Sequence, residues 1–175
     1  MKIRVAAHLR HQRSILKSNK MKMNEIQIIE LSERKELLND AINYFWTCWG
    51  NEKNFHFYKD CIENSIHDPN DVPKFYLALK DQKIIGTYAL LINDLISRQD
   101  LKPWLACLFT EPEYRGKGLA GMLLEHGVQQ ARTMGYPKLY LYTDLVDFYE
   151  KKGWKHICNG FITNGDEHKI YCKEA

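Results

Sequence analysis

With 175 residues, 45% of them hydrophobic and 27% charged, the chain suits one ordinary domain with its own core and excludes wholesale disorder. No apolar run reaches the ~18 residues of a membrane-spanning helix. The formal charge of +3 is uneven: residues 1–22 hold seven Lys/Arg and no Asp or Glu, which leaves 18 basic against 22 acidic residues over 23–175, a net of −4, and no electrostatic case for nucleic acid as a partner.

In chain order, the basic head 1–22 reads as a disordered tail, as the product of an upstream start (Met21 and Met23 both suit a first residue), or as a targeting or nucleic-acid-binding arm. Residues 23–175 are expected to form the folded domain. Glu25–Glu30 reads as a first strand, and Ser32 is placed to cap a helix from about Glu33 to Trp49, ended by Gly50. Asn54–Ile66 fits a second helix, and Asp68–Pro73 a loop. Lys74–Lys80 and Lys83–Asn93 are rich in β-formers and flank Asp81-Gln82, a hairpin. After a polar loop, Trp104–Thr110 is an apolar run of strand length, suited to a strand buried on both faces. An amphipathic helix is predicted from Lys117 to Met134, with Gly135 just past its end. A strand at Leu139–Thr143, a short helix at Leu145–Lys152 capped by Asp144, and strands at Trp154–Cys158 and His168–Lys173 complete a mixed α/β domain around one sheet.

The cysteines at 48, 61, 107, 158 and 172 are odd in number and lack a C-x-x-C pair, which argues against a disulfide framework or a zinc site and fits a reducing, cytoplasmic location. The seven histidines are scattered and no metal is expected.

The stretch EYRGKGLAGM, residues 113–122, places three glycines between a buried strand and a long helix. A helix N-terminus leaves about four backbone N–H groups unpaired, and glycines let an anion approach them closely, so this frame suits a diphosphate. No P-loop is present, because Lys117 is followed by Gly118 rather than Ser or Thr. The dinucleotide pattern G-x-G-x-x-G does match at Gly116–Gly121, but it lies late in the chain, behind an antiparallel hairpin.

Arg115-Gly-Lys-Gly-Leu-Ala120 resembles the R/Q-x-x-G-x-G/A motif of the GNAT family of N-acetyltransferases, and Phe148-Tyr-Glu-Lys-Lys-Gly-Trp154 resembles that family's second signature. The element order agrees over about residues 25–173. The resemblance implies a single-domain α/β GNAT fold: a mixed sheet of about six to seven strands, flanking helices and a splayed fourth strand. It also implies acetyl-CoA as co-substrate, with its pyrophosphate on the amides of Arg115, Gly116, Lys117, Gly118, Leu119 and Ala120. The pantetheine arm would pair with Leu108, Phe109 and Thr110, and the Leu108 N–H would polarise the thioester oxygen. Tyr149 matches the family's general acid.

Two departures stand out. Trp104 fills a position where some relatives carry a glutamate base, and Tyr142 stands where many place an Asn that contacts the pantetheine arm, a role left to Thr143 or Asp144. The segment Asp94-Leu-Ile-Ser-Arg98-Gln-Asp100-Leu-Lys-Pro-Trp104 resembles a D-x-x-x-R-x-D-L-x-P-W loop of one bacterial branch of the family. Asp94 and Arg98 are expected to contact a cationic amine and Asp100 to relay its proton; the alternative is a loop network that fixes the start of the strand. Glu111 is a weaker base candidate. Trp49 and Trp104, with Trp46, Phe55, Phe57 and Tyr58, crowd the expected acceptor region, as a cation-binding cage or as core.

The expected activity is acetyl transfer to a primary amine of a small molecule, by direct attack in a ternary complex. A protein N-terminus or lysine is the other acceptor, and a non-catalytic acyl-CoA-binding module the other class. A transferase acting on charged tRNA would need a basic face that the −4 balance does not provide. The expected assembly is a monomer or homodimer.

Overall fold

The structure is a computed structural model that describes residues 25–68 and 70–175. The basic head 1–22 lies outside them. Seven strands form one sheet in the order β1-β2-β3-β4-β5-β7-β6. They are β1 (Gln27–Glu30), β2 (Lys74–Lys80), β3 (Lys83–Leu91), β4 (Trp104–Thr110), β5 (Lys138–Thr143), β6 (Lys155–Phe161) and β7 (Glu167–Glu174). All neighbours are antiparallel except β4 and β5. Helices α1 (Leu38–Trp49) and α2 (Phe55–Ser65) cover one face, and α3 (Leu119–Thr133) the other.

The period-2 alternation of β2 explains the two layers. Phe75, Leu77 and Leu79 join Ala41, Ile42, Phe45 and Ile62 on the α1/α2 side. Tyr76 and Ala78 join Leu119, Leu123, Val128 and Ala131 on the α3 side. The β2–β3 hairpin turns on Asp81 and Gln82, both at positive φ (50° and 60°), as a twist-matched two-residue turn requires. Helix α3 ends as expected: Tyr136 N donates to the Ala131 carbonyl and Gly135 N to that of Arg132, the paired bonds of a Schellman motif.

Three local expectations are corrected. Ser32 does not cap α1; it lies inside the first of two 3-10 turns, Leu31–Glu33 and Lys35–Leu37, and its hydroxyl donates to the Glu30 carboxylate. α1 therefore begins at Leu38. The helix expected at Leu145–Lys152 shrinks to one 3-10 turn, Glu150–Lys152, because Thr143 Oγ1 rather than Asp144 accepts from the Leu145 amide (3.0 Å) and holds a local turn. Asp144 instead lies 2.7 Å from His168 Nδ1.

Two features of β4 set the geometry on either side of it. Thr87 and Ala89 pair with Phe109 and Ala106, so Tyr88 alone opposes Cys107 and Leu108: a β-bulge, with Cys107 at φ +53°. On its other side, β4 registers with β5 only at Trp104↔Tyr140. Beyond that pair the two parallel strands separate and leave a cleft.

Candidate active site

The glycine turn is built by the chain leaving β4. Pro112–Tyr114 forms a 3-10 turn, and Gly116 and Gly118 take positive φ (69° and 96°), a backbone state that L side chains resist. Gly118 stands at the N-cap of α3. Among the described residues, the amides of Gly116, Gly118, Leu119, Ala120 and Gly121 have no acceptor. These five N–H groups, at the positive end of the α3 dipole, form an anion cradle. The amides of Arg115 and Lys117, two of the six expected phosphate donors, are used inside the turn, on the carbonyls of Pro112 (3.2 Å) and Tyr114 (3.3 Å). Their side chains also turn aside. Arg115 Nε donates to the Thr110 carbonyl (3.1 Å) with its guanidinium over Phe109, and Lys117 Nζ lies over the Tyr114 ring.

A cation missed in the sequence faces the cradle instead. A Cβ added at Gly121 would lie 3.2 Å from Lys152 Nζ, so the 3-10 turn after Tyr149 brings an ammonium to the first turn of α3. Glycine at 121 leaves room for it. Local spacing held no sign of this pairing, which joins residues from separate elements.

The cradle opens into a cleft of about 470 Å³ between the separated strands. Leu108 and Thr110 line it from β4, Tyr149 and Phe148 from beyond β5. Phe109, between them, points its ring to the opposite face, 6.1 Å from that of Tyr44. Tyr149 is 7% exposed, and burial pushes its phenol above the usual range, so it keeps its proton at neutral pH. The cleft thus joins an anion cradle, an unpaired strand edge at Leu108 and a protonated phenol, which fits a long thioester with a diphosphate at one end.

A second cavity, about 370 Å³, opens on the α1/α2 face of the same bulge; Cys107 lines it beside Tyr58, Phe75 and Asp94. Asp94 is half-buried, no donor among the described residues reaches it, and burial pushes its carboxyl up to about 7.

The other loop residues separate from Asp94. Arg98 and Asp100 form a two-point ion pair (2.6 and 2.8 Å), Asp100 is exposed, and the guanidinium holds its carboxyl below the usual carboxylate range. Arg98 also donates to Cys158 Sγ (2.9 Å), and Ser97 N to the Phe161 carbonyl (2.8 Å), which ties the loop to β6. Trp104 is fully buried against Ile96 and Ile170, with its indole N–H on the Leu101 carbonyl (2.6 Å). That geometry matches the loop network fixing the start of β4, and it removes Trp104 from any ligand-binding surface. Trp49 is 43% exposed at the end of α1, outside both cavities, and Trp46 packs edge-on against Phe55; of the expected aromatic cluster, Phe57 and Tyr58 line the second cavity. Glu111 accepts from the Tyr44 hydroxyl (2.5 Å) in a groove on the α1 side. Tyr142 packs against Trp104 and His168. Among the described residues, no group of three or more His, Cys, Asp or Glu could hold a metal ion.

Residues 38–154 match the model of the acetyltransferase (GNAT) family. No curated protein matches the chain by sequence. Its fold is similar to that of solved structures. One is an aminoglycoside 6'-N-acetyltransferase complexed with coenzyme A: 15% identity, 85% of this chain and 96% of that chain, TM-score 0.64. Another is an acetyltransferase from Streptococcus agalactiae: 26% identity, 86% and 99%, TM-score 0.58. A third is a GNAT family acetyltransferase from Elizabethkingia anophelis with acetyl-CoA bound: 15% identity, 86% and 99%, TM-score 0.58. The family match spans more than half of the chain: the chain belongs to the acetyltransferase (GNAT) family.

Proposed function

We propose that the protein moves the acetyl group of acetyl-CoA to a primary amine of a small molecule. The observation that carries this reading is the shared bulge: Leu108 lines the cleft that fits the thioester, and its neighbour Cys107 lines a second cavity holding an available carboxylate. Acetyl-CoA supplies an activated acetyl group; a C–N bond forms as the C–S bond breaks, and the proton lost by nitrogen is balanced by one gained at sulfur.

The residues divide this work. The amides of Gly116, Gly118, Leu119, Ala120 and Gly121, with Lys152, hold the diphosphate. The Leu108 N–H stabilises negative charge on the acetyl oxygen. Tyr149 gives its phenolic proton to the sulfur. Asp94 takes the amine's proton, a role its carboxyl near neutrality suits better than the ion-paired Asp100. The cysteines at 48, 61, 107, 158 and 172 are free thiols, consistent with a reducing, cytoplasmic location.

The test is an amine panel with acetyl-CoA, following CoA release, on wild type and Tyr149→Phe. Turnover is expected for some primary amine, with kcat lowered about 10²-fold or more in the variant. Acetyl-CoA binding without turnover of any amine would leave a non-catalytic acyl-CoA-binding module.

A further inference from the structure

We infer that the cavity over the α1/α2 face of the bulge is the acceptor site, and that it takes a monoamine: one ammonium on an apolar stem of about aromatic size. This rests on the acetyl-transfer reading above and narrows its acceptor. The cavity wall is apolar on three elements: Phe57 and Tyr58 from α2, Phe75 from β2, Leu91 from β3. Its mouth is apolar too. Among the described residues, eight large hydrophobic side chains are exposed, and three of them, Phe57 (50%), Ile92 (55%) and Leu95 (60%), line this one cavity. Exposed apolar groups gathered at a cavity mark a binding surface.

Of the polar side chains that line it, Asp60 and Asn64 are bonded to each other (3.1 Å), whereas two others carry unmatched groups. Asp94 meets no donor, and the buried Nδ2 of its neighbour Asn93 meets no acceptor, among the described residues. Asn93 Oδ1 already accepts from Gln99 Nε2 (2.9 Å), and the Tyr58 hydroxyl spends its one proton on the Trp49 carbonyl (3.1 Å), so it can meet a ligand only as an acceptor, which suits an ammonium. Backbone strain gathers here as well. Asp81 and Gln82 take positive φ to make the hairpin turn, whereas Leu95 (φ 45°) and Cys107 (φ 53°), two of the other three non-glycine residues in that state among the described residues, both line the cavity.

Size and charge exclude other amines. At about 370 Å³ the cavity lies near the lower limit of the ~300–1,000 Å³ typical of small-molecule sites, too small for a multi-ring sugar. A polyamine's further charges would rest on Phe57, Ile92 and Leu95, and among the described residues the one other carboxylate lining the cavity, Asp60, is exposed and already accepts from Asn64 Nδ2 (3.1 Å). A polyhydroxylated ligand would leave its hydroxyls unpaired against the same side chains.

The test is calorimetric titration of the CoA-saturated protein at pH 8 with 2-phenylethylamine, spermidine, kanamycin and a lysine-bearing peptide. Phenylethylamine is expected to bind about tenfold more tightly than any of the others. Asp94→Asn should weaken it about tenfold or more, and Phe57→Ala, at a half-exposed position where the fold is insensitive, about fivefold. Tighter binding of spermidine, kanamycin or the peptide, or unchanged affinity in both variants, overturns the inference. CoA release measured on the same four compounds separates the two levels. Turnover with the wrong preference removes the monoamine site and keeps the transferase; the expected binding without turnover removes the transferase and keeps the site.

Discussion

Asp94 owes its properties to position rather than to its residue type. Its folded carboxyl titrates near 7, above the 3.8 of a free aspartate, because burial disfavours the charge. The groups facing it do not titrate in that window: burial pushes Tyr58 of α2 and Tyr142 of β5 up to about 12, and raises the thiols of Cys61 and Cys107. Two consequences have opposite signs. As a base, Asp94 gains activity as it ionises, so kcat/KM should rise with pH through about 7, and Asp94→Asn should lose that limb. As a buried acid, it favours the fold while protonated: the contribution is full below about pH 4 and lost as pH rises through about 7. Asp94→Asn should therefore match wild type in urea at pH 4 and exceed it at pH 8.5, by roughly 2 kcal/mol given the carboxyl's partial exposure. Equal stability at both pH values would place Asp94 in water. From the sequence, Asp100 is expected to relay the proton and Asp94 and Arg98 to contact the amine, with nothing local to show which carboxylate is buried. Their difference is burial and ion pairing, which arise only when the loop docks on β6.

At the scale of elements, the strands and α3 were legible because each carries a local signal. The hairpin has its two-residue turn, β4 its continuous apolar run, and α3 its glycines at both ends. What local signals could not supply was competition between neighbours: Thr143 against Asp144 for one amide, or Lys152 reaching Gly121 across the cleft. The bulge has no local signal of its own either, since its position depends on how β3 and β4 come into register; it is to be expected only from the likeness of Leu108–Arg115 to the family's strand and bulge. Gly86 sits at that register. A Cβ there would lie 2.9 Å from the Phe109 carbonyl oxygen, a backbone atom that cannot swing away as a side chain would. Gly86→Ala should force β3 and β4 apart next to the cleft. The expected cost is about 1–3 kcal/mol, read as a fall in Tm of roughly 2–4 °C per kcal/mol for a chain of this size. An unchanged Tm would mean the strand spacing is set elsewhere.

Across the whole molecule, charge and ligand are at odds: residues 23–175 carry a net of −4, yet the proposed co-substrate is a polyanion. Long-range attraction cannot hold it, so binding must rest on groups in contact with the phosphates, the five available amides and Lys152. This makes ligand-linked stability a direct reading of the cradle. Acetyl-CoA at 100 times its Kd should stabilise the protein by about 2.7 kcal/mol, a Tm rise of roughly 5–11 °C. Lys152→Ala should shrink the rise at the same ligand concentration while leaving the unliganded Tm in place, because the ammonium serves the ligand rather than the core. Gly118→Glu should abolish the rise, since a carboxylate would occupy the cradle and its backbone would resist φ +96°. A full rise in both variants would move the diphosphate off the glycine turn. A rise lost in Gly118→Glu but intact in Lys152→Ala would leave the diphosphate to the backbone amides alone.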